Sequence, residues 1–242
     1  MNKKLNIFQI ELTSRCNASC SYCPHSTMTR KYEDMSKETF EQALKLINVN
    51  NLWKNMDNYV VELHSFGEAF LLEDKLFYFL DRMKEEGIPW SLSTNGILLG
   101  NNKEFDKKLL SYNGVLEISV ENVNSKTTLD DKYQKINDFL DLHIELNSKL
   151  TNILITYGNV DFSKITGCAG VSKYDLHTWS ENDKPHTTCK FLLDNFFVIH
   201  SNGNIVSCCI DANGETNFGT VFNPTFEHNK RWRKCDTCEG GL

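Results

Sequence analysis

The sequence predicts an α/β protein built on a parallel sheet, either open or closed into a partial barrel. Three observations predict it. Strand-length apolar segments alternate with helix-period segments about five times along the first two thirds of the chain. Each strand-like segment closes on a polar loop or a turn. The alternation stops near Tyr157, and the remainder is loop-rich with one hairpin-like pair.

The elements follow in order. NIFQIEL (residues 6–12) alternates and runs into a cysteine-rich loop, so it is expected to be the first strand. SKETFEQALKLINV (36–49) has Ser36 as its N-cap and Thr39, Phe40, Ala43, Leu44 and Ile47 at helical spacing. YVVELHSF (59–66) is the second strand, and EDKLFYFLDRMKEEG (73–87) a helix ended by Gly87. PWSLSTNG (89–96) is a third strand closing on an Asn-Gly turn. NKEFDKKLLSYNG (102–114) is a helix, VLEISVEN (115–122) a strand, TLDDKYQKINDFLDLHIELNSK (128–149) a long amphipathic helix and NILITYGN (152–159) the fifth strand. The order implies right-handed crossovers. In such sheets ligands sit beyond the C-terminal ends of the strands, so the cysteine loop and the turns at Gly67 and Gly96 share one rim. Beyond it, FFVIH and IVSCC flank SNGN (201–204) as a hairpin. These features divide the chain into a core over 1–160 and a small C-terminal domain over 161–242.

The chain has 242 residues, 40% of them hydrophobic and 24% charged, as in an ordinary globular protein. A formal net charge of −6 gives no basic stripe for a duplex, and KRWRK (230–234) is a short solvated face, so no nucleic acid partner is expected. No apolar run is long enough to cross a bilayer, and the first residues read as a strand rather than a signal peptide. The expected location is therefore cytoplasmic, where thiols stay reduced. Nine cysteines then need a reason. Three lie at Cys16, Cys20 and Cys23, and six between Cys168 and Cys238, so metal ligation is a better reading than disulfides.

CNASCSYCP (16–24) spaces three cysteines as C-x3-C-x2-C. Thiolates suit zinc, copper(I) or an iron–sulfur cluster. A closed zinc site needs four ligands, and the fourth could only be His25 or something distant. A cubane 4Fe–4S cluster with three cysteines leaves one iron open to a cofactor or substrate. Farther on, Cys189, one of Cys208 and Cys209, and the Cys235/Cys238 clip make a four-thiolate set. That set suits a closed zinc site or a fully ligated cluster.

At these residues the sequence resembles the radical S-adenosylmethionine enzymes. C-x3-C-x2-C after a first strand, with the aromatic Tyr22 before the last cysteine, is similar to their cluster motif. The resemblance implies a partial (β/α) barrel of about five to six parallel strands. It also implies that the open iron binds S-adenosylmethionine, whose reductive cleavage makes a 5′-deoxyadenosyl radical that removes a hydrogen atom from the substrate. FGE (66–68) resembles the segment that meets the cofactor's amino group, with Gly67 and Glu68; Ala69 departs from the proline common there. STNG (93–96), with Ser93 and Asn95, resembles the segment near the adenosyl group, and SVE (119–121), with Ser119 and Glu121, the polar pair near the ribose and methionine. GNIVSCCID, then FGTV, then C-x2-C resembles the Twitch domain, a shorter form of the SPASM extension that carries one auxiliary 4Fe–4S cluster. Its pattern puts a ligand five residues after Gly203, which favours Cys208 over Cys209 beside Cys189, Cys235 and Cys238, and matches Asp211 to an acidic position. A strand through the adjacent pair would point the two side chains to opposite faces.

The layout is similar to that of the family's aminocyclitol-oxidising dehydrogenases, sharing CPHS, GEAFLL and TNG. The function this implies is two-electron oxidation of a small sugar- or cyclitol-like alcohol, with the auxiliary cluster accepting the second electron. A flavodoxin or ferredoxin is the implied reductant. His64, Glu121 and His177 are candidate general bases, and Trp179 a candidate cavity residue. Radical epimerisation or crosslinking of a peptide is the alternative, disfavoured because the chain enters its first strand at once. A non-catalytic zinc protein that binds a partner is the reading from another class.

Overall fold

A computed structural model describes residues 6–20, 23–50, 60–121, 127–150, 152–158, 164–165, 172–175 and 196–225. In chain order these residues form β1 (Asn6–Ile10), α1 (Lys37–Asn50), β2 (Val61–Glu62), α2 (Asp74–Glu85), β3 (Trp90–Thr94), α3 (Lys103–Leu110) and β4 (Val115–Glu121). They continue with α4 (Leu129–Glu145), β5 (Asn152–Gly158), β6 (Ser172–Asp175), β7 (Phe196–Ile199), β8 (Asn204–Val206), β9 (Asn217–Thr220) and β10 (Asn223–Pro224). The expected alternation is present, and so is the hairpin on SNGN, as β7 and β8. The α/β class is as predicted.

The chain forms two compact units interleaved in sequence: Met1–Arg15, Pro24–Gly67 and Trp179–Leu242 in one, Cys16–Cys23 and Glu68–Thr178 in the other. In the first, β1 lies between two parallel neighbours. Gln9 pairs with Glu62 of β2 on one side, and Asn6 and Ile10 pair with Phe196 and Ile199 of β7 on the other. β8, β9 and β10 continue antiparallel from β7. Ser36 starts α1, its hydroxyl accepting from Thr39 N–H at 3.0 Å. Phe40, Ala43, Leu44 and Ile47 of α1 are buried, as the helical spacing requires.

In the second unit β3, β4, β5 and β6 are all parallel. Asn102 and Thr128 cap α3 and α4 with their side-chain oxygens. β3 and β4 alternate strictly. Leu92, Thr94, Leu116, Ile118 and Val120 are buried, whereas Ser93, Glu117 and Ser119 on the other face are only half-buried. One face of this sheet is a core face, and the other is a polar wall.

Two expectations need correction. The second strand is two residues, Val61–Glu62, not the run to Phe66. The chain has to leave the ladder to bring Gly67 against the segment after β1, where a Cβ on Gly67 would stand 2.0 Å from the Thr13 carbonyl oxygen. β8 ends at Val206, so Cys208 and Cys209 lie in a turn and not on opposite faces of a strand. Asp211 N–H donates to the Cys208 carbonyl at 3.2 Å, and just beyond it the buried Asp211 carboxylate accepts from the backbone N–H of Gly214, Glu215 and Thr216 and from the Thr216 hydroxyl at 2.7–2.9 Å.

Candidate active site

Cys16, Cys20 and Cys23 follow β1 on one loop, each half-buried and none in a disulfide. Cys23 N–H donates to the Cys20 carbonyl at 3.2 Å, folding the second half of the loop into a turn. Burial pushes the Cys16 thiol up to about 11; the Ala18 backbone opposes this, and the charges of Glu68, Cys20 and Cys23 add to it. A soft cation bound by this loop would take the Cys16 thiol as thiolate and release its proton. Among the described residues no group of three or more His, Cys, Asp or Glu is placed to hold a single metal ion. A cubane gives each thiolate its own iron, so a loop of three soft donors fits a cluster better than an ion. His25 is engaged elsewhere, with Nε2 3.0 Å from the Ser14 carbonyl and its ring stacked on Tyr32. Tyr22 lies outside the described residues.

Glu68 is 2% exposed and opens a short 3-10 turn. Its Oε1 accepts from Phe70 N–H at 3.1 Å and the Thr94 hydroxyl at 2.9 Å, and its Oε2 from Asn95 N–H at 2.7 Å. Burial pushes its pKa up, while these donors and the Lys132 ammonium pull it down. Three of about four acceptor positions are thus used by the fold, and about one remains for a ligand donor. Asn95 ties this carboxylate to the cysteine loop. Its Nδ2 donates to Asn17 Oδ1 at 2.8 Å and lies 3.9 Å from Cys16 Sγ, while its Oδ1 accepts from Ile97 N–H. Gly96 turns the chain at φ +74, a conformation glycine adopts without strain.

Sequence reasoning missed Thr94, Asn17 and Lys132 in this network. Thr94 was hidden because it points to the buried face of β3, where a polar side chain has no obvious ligand. Asn17 lay inside the cysteine motif but carried no signal of its own. Ser93 and Ser119 stand half-buried on the polar wall. Between them is a further missed residue, Glu117, paired with Ser93 across β3 and β4. Burial pushes its carboxyl up, and the Thr156 hydroxyl opposes that. Glu121 ends β4, and its side chain is outside the description, as are His177 and Trp179.

In the other unit, His64 Nε2 is 3.3 Å from Glu62 Oε2. Burial pushes its pKa down to about 4, so the ring is neutral at neutral pH. Of the second cysteine group, Cys208 and Cys209 are described, and Cys168, Cys189, Cys235 and Cys238 are not. Cys209 packs on Val198 and Val206. The Cys208 thiol is pulled down to about 7, chiefly by a hydrogen bond from Cys209 and also by the Ile210 and Asp211 backbone, against burial.

A loop of three thiols after a first parallel strand, tied through Asn95 to a buried carboxylate after the second, defines a cluster-dependent α/β enzyme site. The Radical SAM superfamily model matches residues 10–160, and the chain belongs to that superfamily, whose members use S-adenosylmethionine and a 4Fe–4S cluster. Among solved structures the chain is similar to BtrN in complex with AdoMet and 2-DOIA, with 17% identity over 92% of this chain and 80% of that one, TM-score 0.61. It is also similar to anSMEcpe with bound AdoMet and Cp18Cys peptide, with 16% identity over 96% and 85%, TM-score 0.56. SuiB of Streptococcus suis bound to S-adenosylmethionine matches with 14% identity over 85% and 60%, TM-score 0.54. At these identities the three show a shared fold. No curated protein sequence matches the chain.

Proposed function

We propose that this radical SAM enzyme is an oxidoreductase that removes two electrons from a small polar alcohol, sugar- or cyclitol-like. Cys16, Cys20 and Cys23 hold the cofactor-binding cluster. Glu68 offers its remaining acceptor position to the cofactor's amino group, and Asn95 keeps that carboxylate in register with the cysteine loop. Gly67 lets the two loops approach, and Ser93, Ser119 and Glu121 supply polar contacts to the nucleoside and methionine ends. Cys189, Cys208, Cys235 and Cys238 hold an auxiliary 4Fe–4S cluster in a Twitch-type domain over 161–242, which follows in sequence a core over 1–160. When bound, the clusters supply one-electron chemistry: reductive cleavage of S-adenosylmethionine and acceptance of the electron left on the oxidised substrate. The chain's own residues bind, orient and exclude water. A base must take the alcohol proton, and His64 is the described candidate, neutral and half-buried.

The single observation that carries the reading is the second thiol site. The Cys208 thiol, held toward the thiolate chiefly by its hydrogen bond from Cys209, supports a soft-ligand site of the kind an electron-accepting cluster needs. The neighbour BtrN, solved with 2-DOIA, supports a small-molecule substrate. The peptide-bound anSMEcpe supports a second reading, radical modification of a peptide. A flavodoxin or ferredoxin supplies the electron, and the setting is the cytoplasm. No helix among the described residues is long and apolar enough to cross a membrane.

The test is anaerobic purification with iron and zinc counting, on the wild type and on the Cys16/Cys20/Cys23→Ala variant. Reductive release of 5′-deoxyadenosine is measured on the same samples. Two cubane clusters predict about eight irons in the wild type and about four in the variant. Only the wild type should release 5′-deoxyadenosine. Zinc in place of iron, with no cleavage, would sink the reading and leave a metal-stapled binding protein.

A further inference from the structure

The polar side of β1 and β2 carries a side-chain group that packing does not require. Gln9 on β1 stands opposite Glu62 on β2 in the parallel register. Its Nε2 donates to Glu62 Oε2 at 2.9 Å. His64, two residues farther along, brings Nε2 to 3.3 Å from the same oxygen. A carboxylate can only accept, so it dictates the state of both neighbours. The Gln9 amide turns its NH2 group toward Glu62, and the His64 imidazole carries its proton on Nε2. Two acceptors are left over, Gln9 Oε1 and His64 Nδ1, both buried and neither with a hydrogen-bond partner. Gln9 is only 6% exposed, so bulk water does not satisfy its oxygen. Buried acceptors without donors are costly, and in a native protein each calls for a reason.

The missing partner has a definite chemistry. Two acceptors on side chains that share one carboxylate oxygen call for a ligand bringing two donors. A sulfate or carboxylate brings acceptors alone and would be repelled by Glu62. A hydrocarbon brings neither. We propose that Gln9, Glu62 and His64 form the recognition site for the donor-rich end of the substrate, a group with clustered O–H or N–H hydrogens. In this site Glu62 is a positioning residue, while Gln9 Oε1 and His64 Nδ1 touch the ligand. The inference rests on the oxidoreductase reading for its substrate class and on the buried acceptors for its residues. Polyols, amino sugars and amino cyclitols present such donors, and so does a serine side chain beside its own amide.

The experiment is calorimetric titration of the reconstituted, unreduced holoenzyme with S-adenosylmethionine bound. The probes are myo-inositol, glucosamine, a serine-containing hexapeptide with blocked ends and, as the acceptor-only control, inorganic sulfate. Gln9→Met and His64→Leu remove one acceptor each, and His64→Gln keeps an oxygen near the lost nitrogen. The wild type should bind at least one donor-rich probe and not sulfate. Gln9→Met and His64→Leu should weaken that binding at least tenfold, and His64→Gln should recover part of it. Iron content and affinity for S-adenosylmethionine should stay as in the wild type. Binding of the sugars assigns a small-molecule alcohol; binding of the peptide alone assigns a side-chain hydroxyl. A wild type that binds no donor-rich probe overturns the proposal, as do variants that bind as tightly as the wild type, including variants that only lose thermal stability. Dithionite-driven 5′-deoxyadenosine release separates this outcome from the broader one. Probe binding without cleavage keeps the recognition site and defeats the radical reading, and cleavage without probe binding does the reverse.

Discussion

Asp106 shows at the scale of one residue how burial sets a pH dependence. It is 2% exposed, with Oδ2 accepting from Gly100 N–H and Oδ1 without a partner. Burial pushes its pKa from 3.8 to about 6. A raised carboxyl stabilises the fold while protonated, and that contribution is lost as pH rises from the unfolded value through about 6. Asp106→Asn keeps an acceptor for Gly100 and removes the charge. Its unfolding free energy should exceed that of the wild type at pH 7.5 by about 1 kcal/mol, read as a higher melting point, and the gap should close toward pH 4. Gly67 is the opposite case, a residue with nothing to titrate and no room to grow. Gly67→Ala would drive a methyl into the Thr13 carbonyl, and backbone cannot give way as a side chain can. We expect a loss of about 3 kcal/mol or more, or no folded protein, read by chemical denaturation.

At the scale of elements, the Asp211 turn and the helix caps are separable. Asp211→Ala leaves the amides of Gly214, Glu215 and Thr216 without their acceptor. The expected cost is about 2–4 kcal/mol, with iron falling from about eight to about four per chain as the Cys208 site loosens. Iron that stays at its wild-type level would separate the turn from the cluster. Asn102→Ala strips the cap of α3, which accepts from Glu104 and Phe105 N–H, and should cost about 1 kcal/mol without touching iron content. The elements themselves were readable because helix period and strand alternation reflect one-sided burial, as in α1 and β3. The length of β2 was not readable, because the contact between Gly67 and Thr13 that cuts it short joins residues more than fifty positions apart.

At the scale of the molecule, the prediction concerns order of loss. On the proposed ligand sets, a cluster held by three cysteines would leave one iron open to oxygen, and one held by four would not. Brief exposure to air should therefore abolish 5′-deoxyadenosine release while about four irons remain, as followed by iron counting against time. Simultaneous loss of all iron and activity would contradict the split into a three-thiol and a four-thiol site.

The sequence alone determined the α/β order, the hairpin on SNGN, the C-x3-C-x2-C loop and the superfamily, because those depend on periodicity and on residues close together in the chain. The tertiary structure alone decided which groups meet. It joined Glu68 to Thr94 and Asn95, and Asn95 to Asn17; it put Asp211 under the Cys208 turn, and it left Gln9 and His64 with acceptors to spare. A hydrogen bond between strands depends on register and side-chain direction. Neither is encoded in local spacing, and both are set only when the sheet closes its backbone ladder.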